Sequence, residues 1–443
     1  MMEIPNSVKE IIKRLENFGF EAYIVGGCVR DSILNKIPKD WDITTNALPE
    51  EIKTVFKDTK IIETGIKFGT IILIIDNTEY EVTTFRSDGV YSDNRKPDSV
   101  NFILDLKRDL ARRDLKFNAM AYSEKKGLID PFNGTNDLKE KIISCVGNPD
   151  DRIQEDYLRA LRAIRFACTF NYKINEDTKK AITNNIHLIF NISQERIRNE
   201  LLKILTSDNI IYGFNLLKET GLLYFILPEL QNTIDVEQNN PYHIYDVYNH
   251  TINSVKNIEN ILHLKLTMLF HDIAKSLTIT KDENKVNHFY GHSKMSSEMA
   301  EQILKRFNFD IDTIIKVKKL IGLHDCNIPS TSIEVKKLLN KIGEETFRDL
   351  IKVKQADMLA QSLLSISEKE FKLIETLKIL EIVLQEKQCF SKKDLLINGR
   401  DIMSFGIKEG KEIGNIIDYL VEIVINNPEL NTKEKLLEII SKL

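Results

Sequence analysis

Two aspartates one residue apart, Asp40 and Asp42, flank the single tryptophan of the chain, Trp41. In an extended strand residues i and i+2 point to one face, so this spacing gathers both carboxylates at one place. There they can hold a pair of magnesium ions, one activating an attacking hydroxyl and the other stabilising a leaving pyrophosphate in an in-line displacement at phosphorus. An Asp-x-Asp pair is common by chance, and its neighbours give this one weight. Gly26 and Gly27 close an apolar run, YIVGG, and Val29, Arg30 and Asp31 open a helix. Backbone without side chains can approach a phosphate closely there while Arg30 supplies positive charge. Further on, Arg112, Arg113 and Asp114 precede an apolar segment ending at Asn118 and Ala119. Paired arginines in such a place are costly to desolvate unless an anion meets them.

A second group follows: Glu155, Asp156, Arg159, Arg162 and Arg165 lie on a helical pattern with Leu158, Leu161 and Ile164 between them. The spacing makes Asp156 and Arg159 neighbours on one face. A carboxylate acceptor beside a planar donor is what reading the polar edge of a nucleobase requires; the plain alternative is a surface ion pair worth about 0.2–0.5 kcal/mol. A third group lies beyond. Of eight histidines, His250, His271, His292 and His324 fall in one helical region, with Asp272 directly after His271 and Asp357 further on. A lone histidine is more often a satisfied core residue, but a His and Asp set suits a transition metal or magnesium.

The elements that must position these groups divide the chain. The first 145 or so residues mix β-rich runs (YIVGG at 23 to 27, TIILIID at 70 to 76, YEVTTFR at 80 to 86, LID before Pro131) with helical patterns, an α+β or α/β unit. The polar stretch from Ser87 to Asn101, holding Gly89 and Pro97, reads as a mobile loop between strands. From about Asp150 the apolar residues recur every three or four positions and the remainder reads as nearly all helix. No period suggests a solenoid.

Bulk properties bound the answer without naming it. A length of 443 residues implies several packed units. With 62 Lys and Arg against 66 Asp and Glu the net charge is -4, so a nucleic-acid surface must be a local basic patch. The five cysteines have no CxxC spacing, which argues against a zinc ribbon or a disulfide framework and for a reducing cytoplasm. The N-terminal segment lacks the apolar stretch of a signal peptide and no run has membrane-spanning length, so a soluble, cytoplasmic protein is expected.

Taken in order, GGCVRD, DWD and RRDLKFNAMA, with Asp130, Pro131, Gly134, Asp137 and Leu138 after them, resemble the nucleotidyltransferase head of tRNA CCA-adding enzymes and bacterial poly(A) polymerases, a branch of the polymerase β superfamily. The resemblance implies magnesium at Asp40 and Asp42 and triphosphate contacts from Gly27, Arg30 and Arg113; Glu81, on a neighbouring expected strand, could add a third carboxylate. It implies that the EDxxR element, here Asp156 and Arg159, is a protein template for the incoming base, with Arg162 and Arg165 supporting nucleotide and primer. The run ETGIKFGTIIL at 63 to 73 looks like the CCA-adding version of this strand pair, with Phe68 where many relatives have His. The strongly basic C-terminal extension common in bacterial poly(A) polymerases is lacking, which favours tRNA over RNA ends in general.

HDIAK, with His250 before it and His292 after it, resembles the HD phosphohydrolase superfamily, which implies one or two divalent metals at His250, His271, Asp272, His292, His324 and Asp357 and hydrolysis of phosphate monoesters or cyclic phosphodiesters. LLINGRDIMSFGIKEGKEIGNIIDYL resembles the tail of the CCA-adding family. The expectation is therefore an α+β protein: a polymerase β-type head (1–145), a helical neck with the base template (146–235), an HD-type helical body (236–360) and a helical tRNA-binding tail (361–443). It would add CCA to tRNA from CTP and ATP, the alternatives being a CC-adding or A-adding partial enzyme, a poly(A) polymerase, or a phosphohydrolase whose head only binds RNA.

Overall fold

The computed structural model describes residues 2–89, 99–239, 244–283, 286–407 and 410–443, without the side chains of 363–366. The chain divides into two compact units, one up to Pro228 and one from Glu229.

Among the described residues of the first 130, nine strands form: β1 (Ala22–Val25), β2 (Ile43–Thr45), β3 (Lys60–Ile62), β4 (Thr70–Ile75), β5 (Thr78–Thr84), β6 (Arg86–Asp88), β7 (Val100–Phe102), β8 (Ala121–Ser123) and β9 (Gly127–Ile129). Seven make one sheet in the order β3-β4-β5-β2-β1-β8-β9. β2 and β5 run parallel, Ile43 opposite Val82, while β1 is antiparallel to both its neighbours. Alternation decides the faces of β5: Tyr80, Val82 and Thr84 are buried, so Glu79, Glu81 and Thr83 point the other way. The helix Asn6–Asn17 supplies Val8, Ile11 and Leu15 to the core at helical spacing.

The stretch expected as a loop from Ser87 to Asn101 is shorter than that. Ser87 pairs with Asn101 and Asp88 with Val100 in the separate β6–β7 ribbon, because the alternating residues on either side can form a ladder; residues 90–98 lie outside those described.

After residue 145 helices dominate, interrupted by short strands such as Lys173–Ile174, which pairs in parallel with Ile142–Ile143 at the end of the head. The helix Leu158–Phe170 buries Leu161, Ile164, Ala167 and Cys168, and its Phe166 meets Phe117 of the head edge-on at 5.4 Å. In the second unit the helices Val247–Asn257, Leu262–Phe270, His292–Arg306, Ile311–Leu323 and Glu344–Met358 are followed by Leu363–Gln385 and by a smaller core in which Ile402, Leu420, Val424 and Leu436 are fully buried.

One glycine sets the floor of the head. A Cβ on Gly134 would stand 2.3 Å from the Lys116 carbonyl oxygen and 2.9 Å from Phe117 Cα, so the loop held by Asp130, whose Oδ1 accepts from Gly134 N–H at 2.7 Å, can seat only glycine. At Gly127 the demand is conformational alone, φ 70° with open space around the Cβ. Gly134→Ala is therefore expected to destabilise the head by about 3 kcal/mol through forced backbone movement, and Gly127→Ala by about 1 kcal/mol through left-handed strain. Urea denaturation of the two variants checks the order; equal losses would place the constraint elsewhere.

Candidate functional site

Asp40 and Asp42 do not lie within a strand. They occupy the extended segment that leads into β2, where Val25 N–H donates to the Asp42 carbonyl at 3.0 Å and so extends the β1–β2 ladder. The effect is the one their spacing predicts, since extended backbone alternates its faces with or without a partner strand. Carrying the β2–β5 register one step back places Asp42 beside Glu81. Asp42 is half-buried, whereas Asp40 and Glu81 are exposed. Burial raises the Asp42 carboxyl, Arg113 opposes that rise and Asp40 adds to it. Glu81 is raised by partial burial and then by Asp42 and Asp40. Three mutually repelling carboxylates with oxygen donors only are a hard-cation donor set, and a divalent cation there would relieve the repulsion.

Arg113 is the countercharge. Burial pulls its guanidinium down and Asp109, Asp42 and Asp114 hold it up. Its Nε is buried with no hydrogen-bond partner, and its Nη1 would stand 2.9 Å from a Cβ on Gly26, which has φ 82°. A side chain at position 26 would therefore displace Arg113. Arg30, expected beside Gly27 as a phosphate contact, is buried and already engaged. It donates to Asn118 Oδ1 at 2.6 Å and to Asp31 at 2.8 Å, over the rings of Phe166 and Phe170 at 5.2 Å. One Nη of Arg30 nevertheless lies 3.6 Å from the Cβ position of Gly27. In this arrangement it braces the turn.

The neck departs from the sequence expectation at Asp156. The helical pattern around it is two helices, Pro149–Glu155 and Leu158–Phe170, with Asp156 extended between them at φ -151°. A carboxylate that accepts the Leu158 N–H, at 3.1 Å, stabilises a helix start rather than a helix interior. Asp156 and Arg159 consequently do not share a helix face. Asp156 takes a bidentate pair from Arg196, at 2.6 and 3.2 Å. Arg159 is bound to Glu155 and to the carbonyls of Arg152, at 2.9 Å, and Arg112, at 3.3 Å. Arg162 meets Asp114 at 2.6 Å and Arg165 meets Glu200 at 2.6 Å while lying 3.7 Å over Phe166. Arg196 and Glu200 carry no local sequence signal, being brought to Asp156 and Arg165 from 40 and 35 residues away by the fold.

The six residues of the third group do converge. His250 Nε2 lies 2.8 Å from Asp357 Oδ1 and 3.7 Å from Asp272 Oδ2; His271 Nε2 is 3.2 Å from Asp272 Oδ2 and 3.5 Å from Asp357 Oδ1. On the other side of Asp272, its Oδ1 stands 3.3 Å from His292 Nε2 and 3.6 Å from His324 Nε2. His250, His271 and Asp272 form one group of donors within 4.8 Å, and Asp272, His292 and His324 another. In all four rings Nδ1 faces a main-chain carbonyl: Ala360 at 3.3 Å, Met268 at 2.8 Å, Phe289 at 2.7 Å and Ile321 at 2.7 Å respectively. The carbonyl behind each ring accepts the Nδ1 proton and turns Nε2 inward, as outer hydrogen bonds orient the imidazoles of metal-binding histidines.

Electrostatics agree with that fit. Although burial opposes it, Asp272 and Asp357 push His271 up to about 10. Burial alone would raise Asp272, yet His271 and Lys275, whose Nζ is 2.7 Å away, hold it well below the carboxylate range. The place favours positive charge, and mixed imidazole and carboxylate donors suit a divalent transition metal. Lys275, three residues after Asp272, is the member of this group that the sequence reading passed over.

With both geometries in view, the comparisons are specific. A family model described as the Poly A polymerase head domain matches residues 22–144, one for the RNA- and SrmB-binding site of polymerase A matches 171–234, and one for tRNA nucleotidyltransferase domain 2 matches 277–440. The CCA-adding enzyme of Ligilactobacillus salivarius (strain UCC118) is 32% identical over 444 residues, covering 99% of this chain and 98% of the relative. The chain belongs to the CCA-adding enzyme family. The family member from Geobacillus kaustophilus (strain HTA426) is 44% identical over 216 residues, 49% of this chain and 53% of its own. The crystal structure of the Bacillus stearothermophilus CCA-adding enzyme in complex with CTP matches in fold over 100% of this chain and 98% of its own, with TM-score 0.71 and 24% identity.

Within this family member, Asp114 ties head to neck and gives a pH signature. Burial would raise its carboxyl, but Arg162 and the Leu115 N–H bring it to about 2, against about 3.9 for a free aspartate. A group lowered on folding contributes stability that is complete above its unfolded value and lost as pH falls through the folded one. The contribution, on the order of 2 kcal/mol, is thus expected to disappear between about pH 4 and pH 2. Asp114→Asn should be less stable at pH 7 and lose less between pH 4 and 2, as followed by denaturant midpoints; a parallel pH curve would contradict the assignment.

Proposed function

We propose that this chain adds CCA to the 3′ end of tRNA, taking CMP twice from CTP and AMP once from ATP, with pyrophosphate released. The observation that carries the reading is the meeting of Asp40, Asp42 and Glu81 beside Arg113, in a chain related over nearly its whole length to CCA-adding enzymes. Magnesium at Asp40 and Asp42 would supply charge at the attacking and leaving oxygens. The residues of the chain do the rest. Gly26, without a side chain, lets Arg113 lie against the backbone turn where a triphosphate can meet its charge. Asp156 and Arg159 offer acceptor and donors to a base edge once Arg196 and Glu155 yield them, and Arg162 and Arg165 hold the neck helix on the head.

Two features support the setting. All five cysteines are unpaired, as a reducing cytoplasm requires, and among the described residues no helix is long and apolar enough to cross a membrane. A second reading concerns the second unit only. The converged ligand set at His250, His271, Asp272, His292, His324 and Asp357 favours an HD-type divalent metal centre that hydrolyses phosphate esters.

Purified protein with magnesium is given tRNA lacking its last three nucleotides, with labelled CTP, ATP or both, and the products are sized. Two additions from CTP and a third only with ATP are expected, and Asp40→Ala should reduce all of them by at least about a thousandfold. Arrest after two additions with both nucleotides present would make it a CC-adding enzyme, a lone addition from ATP to CC-ended tRNA an A-adding one, and long tails from ATP on any RNA a poly(A) polymerase.

A further inference from the structure

The helix Gln194–Leu205 places Arg196 in its first turn, where the helix dipole opposes a cation. The counterweight lies across the neck. Arg196 forks onto the Asp156 carboxylate, Nη2 donating to Oδ2 at 2.6 Å and Nη1 to Oδ1 at 3.2 Å, with the two side chains 22% and 13% exposed. Oδ1 also accepts the Leu158 N–H at 3.1 Å. A carboxylate has about four lone-pair positions, so the fork and the cap fill both on Oδ1 and one on Oδ2. The position left on Oδ2 is the one that Arg196 yields to a base while keeping hold of the carboxylate. The backbone behind the fork is held as firmly: Ile197, Leu201 and Ile204 are buried along the helix, and Glu200 takes Arg165 at 2.6 Å one turn on. Glu155 and the carbonyls of Arg152 and Arg112 fix Arg159 in the same manner.

We infer that Arg196 is a positioning residue that sets which nucleobases the neck accepts, an inference that rests on the proposed nucleotide addition. Cytosine and adenine share one pattern on their pairing edge, an exocyclic amine that donates beside a ring nitrogen that accepts. Uracil and guanine show the reverse, a carbonyl oxygen beside a ring N–H. Asp156 as acceptor beside Arg159 as donor complements the first pattern and opposes the second. That discrimination needs the acceptor to stay in place. A carboxylate free to change rotamer would swing away from a uracil or guanine oxygen and leave Arg159, a donor only, to bind that oxygen. Arg196 prevents the turn, because a planar fork on both oxygens sets the plane of the carboxylate as well as its place, which a point charge does not. A carboxylate that cannot retreat keeps the wrong base facing a like partner, and polar groups left so in a half-buried place are costly. In this role Arg196 touches no base and acts through Asp156.

The test gives the full chain magnesium and tRNA lacking its last three nucleotides with CTP or UTP, and tRNA ending in CC with ATP or GTP, and measures kcat and KM for each. In Arg196→Gln the kcat/KM ratio of CTP to UTP, and that of ATP to GTP, should each fall at least about tenfold, with the loss for CTP and ATP lying in KM more than in kcat. Arg196→Lys, which keeps the charge and loses the fork, should stand between wild type and Arg196→Gln. A residue that only held the neck together would slow all four nucleotides alike, so ratios that match wild type, at whatever rate, overturn the inference while nucleotide addition stands. Should Arg196→Gln be inactive with every nucleotide, Arg196→Lys decides on the same ratios. Loss of all addition in both variants also overturns it, since a residue that governs base choice alone leaves addition measurable. Wild-type protein that adds neither CMP nor AMP overturns the proposed addition, and this inference with it.

Discussion

Like charges held close together repel, and in the head that repulsion is built into the strand register. The parallel pairing of β2 with β5 sets Asp42 beside Glu81, two residues from Asp40; on top of burial, Asp40 raises the Asp42 carboxyl, and Asp42 and Asp40 raise that of Glu81. Arg113 answers them, yet burial makes it costly in turn, so Asp109 and Asp114 must answer Arg113. Asp109 then accepts from Arg112 at 3.0 Å and from the Arg86 N–H at 3.1 Å, and Asp114 takes Arg162 of the neck. Alternating charge thus runs from the carboxylates through the RRD segment to the neck helix. Removing any one member leaves a buried charge uncompensated, which is more damaging than the pair is stabilising. A site that is under electrostatic stress without its cation is the expected compromise of stability for function.

The second unit solves the opposite problem. Four imidazoles point lone pairs at one another, His292 and His324 with Nε2 atoms 3.3 Å apart, and Asp272 stands between two pairs of them. Each ring is locked from behind by a main-chain carbonyl, in three cases the carbonyl three residues earlier. The backbone thus orients each imidazole without help from another side chain.

Much of this was legible in the sequence, for identifiable reasons. Asp40 with Asp42, the Gly26 turn and the strands around them announce themselves because extended backbone has a period of two and glycine marks its own conformation. The histidine set was legible because HDIAK is local, while its convergence depends on helices whose order the sequence does not fix. Asp156 was misplaced because the apolar pattern continues across a helix break that only its own side chain, capping Leu158, creates. Arg196 was invisible, since the pair it makes with Asp156 is tertiary and nothing in its neighbours differs from an ordinary helix surface. The segment from Ser87 to Asn101 was read by its polar composition, which hid the short β6–β7 ladder at its ends.

The central claim is that Asp40 and Asp42 are the cation site that drives transfer. Anomalous diffraction from crystals grown with Mn2+ and CTP measures this directly. The account predicts manganese peaks between the carboxylates of Asp40 and Asp42, present in wild type and lost in Asp42→Asn. Manganese confined to the cluster around Asp272, with CTP bound in the head and no peak at Asp40 and Asp42, would contradict it.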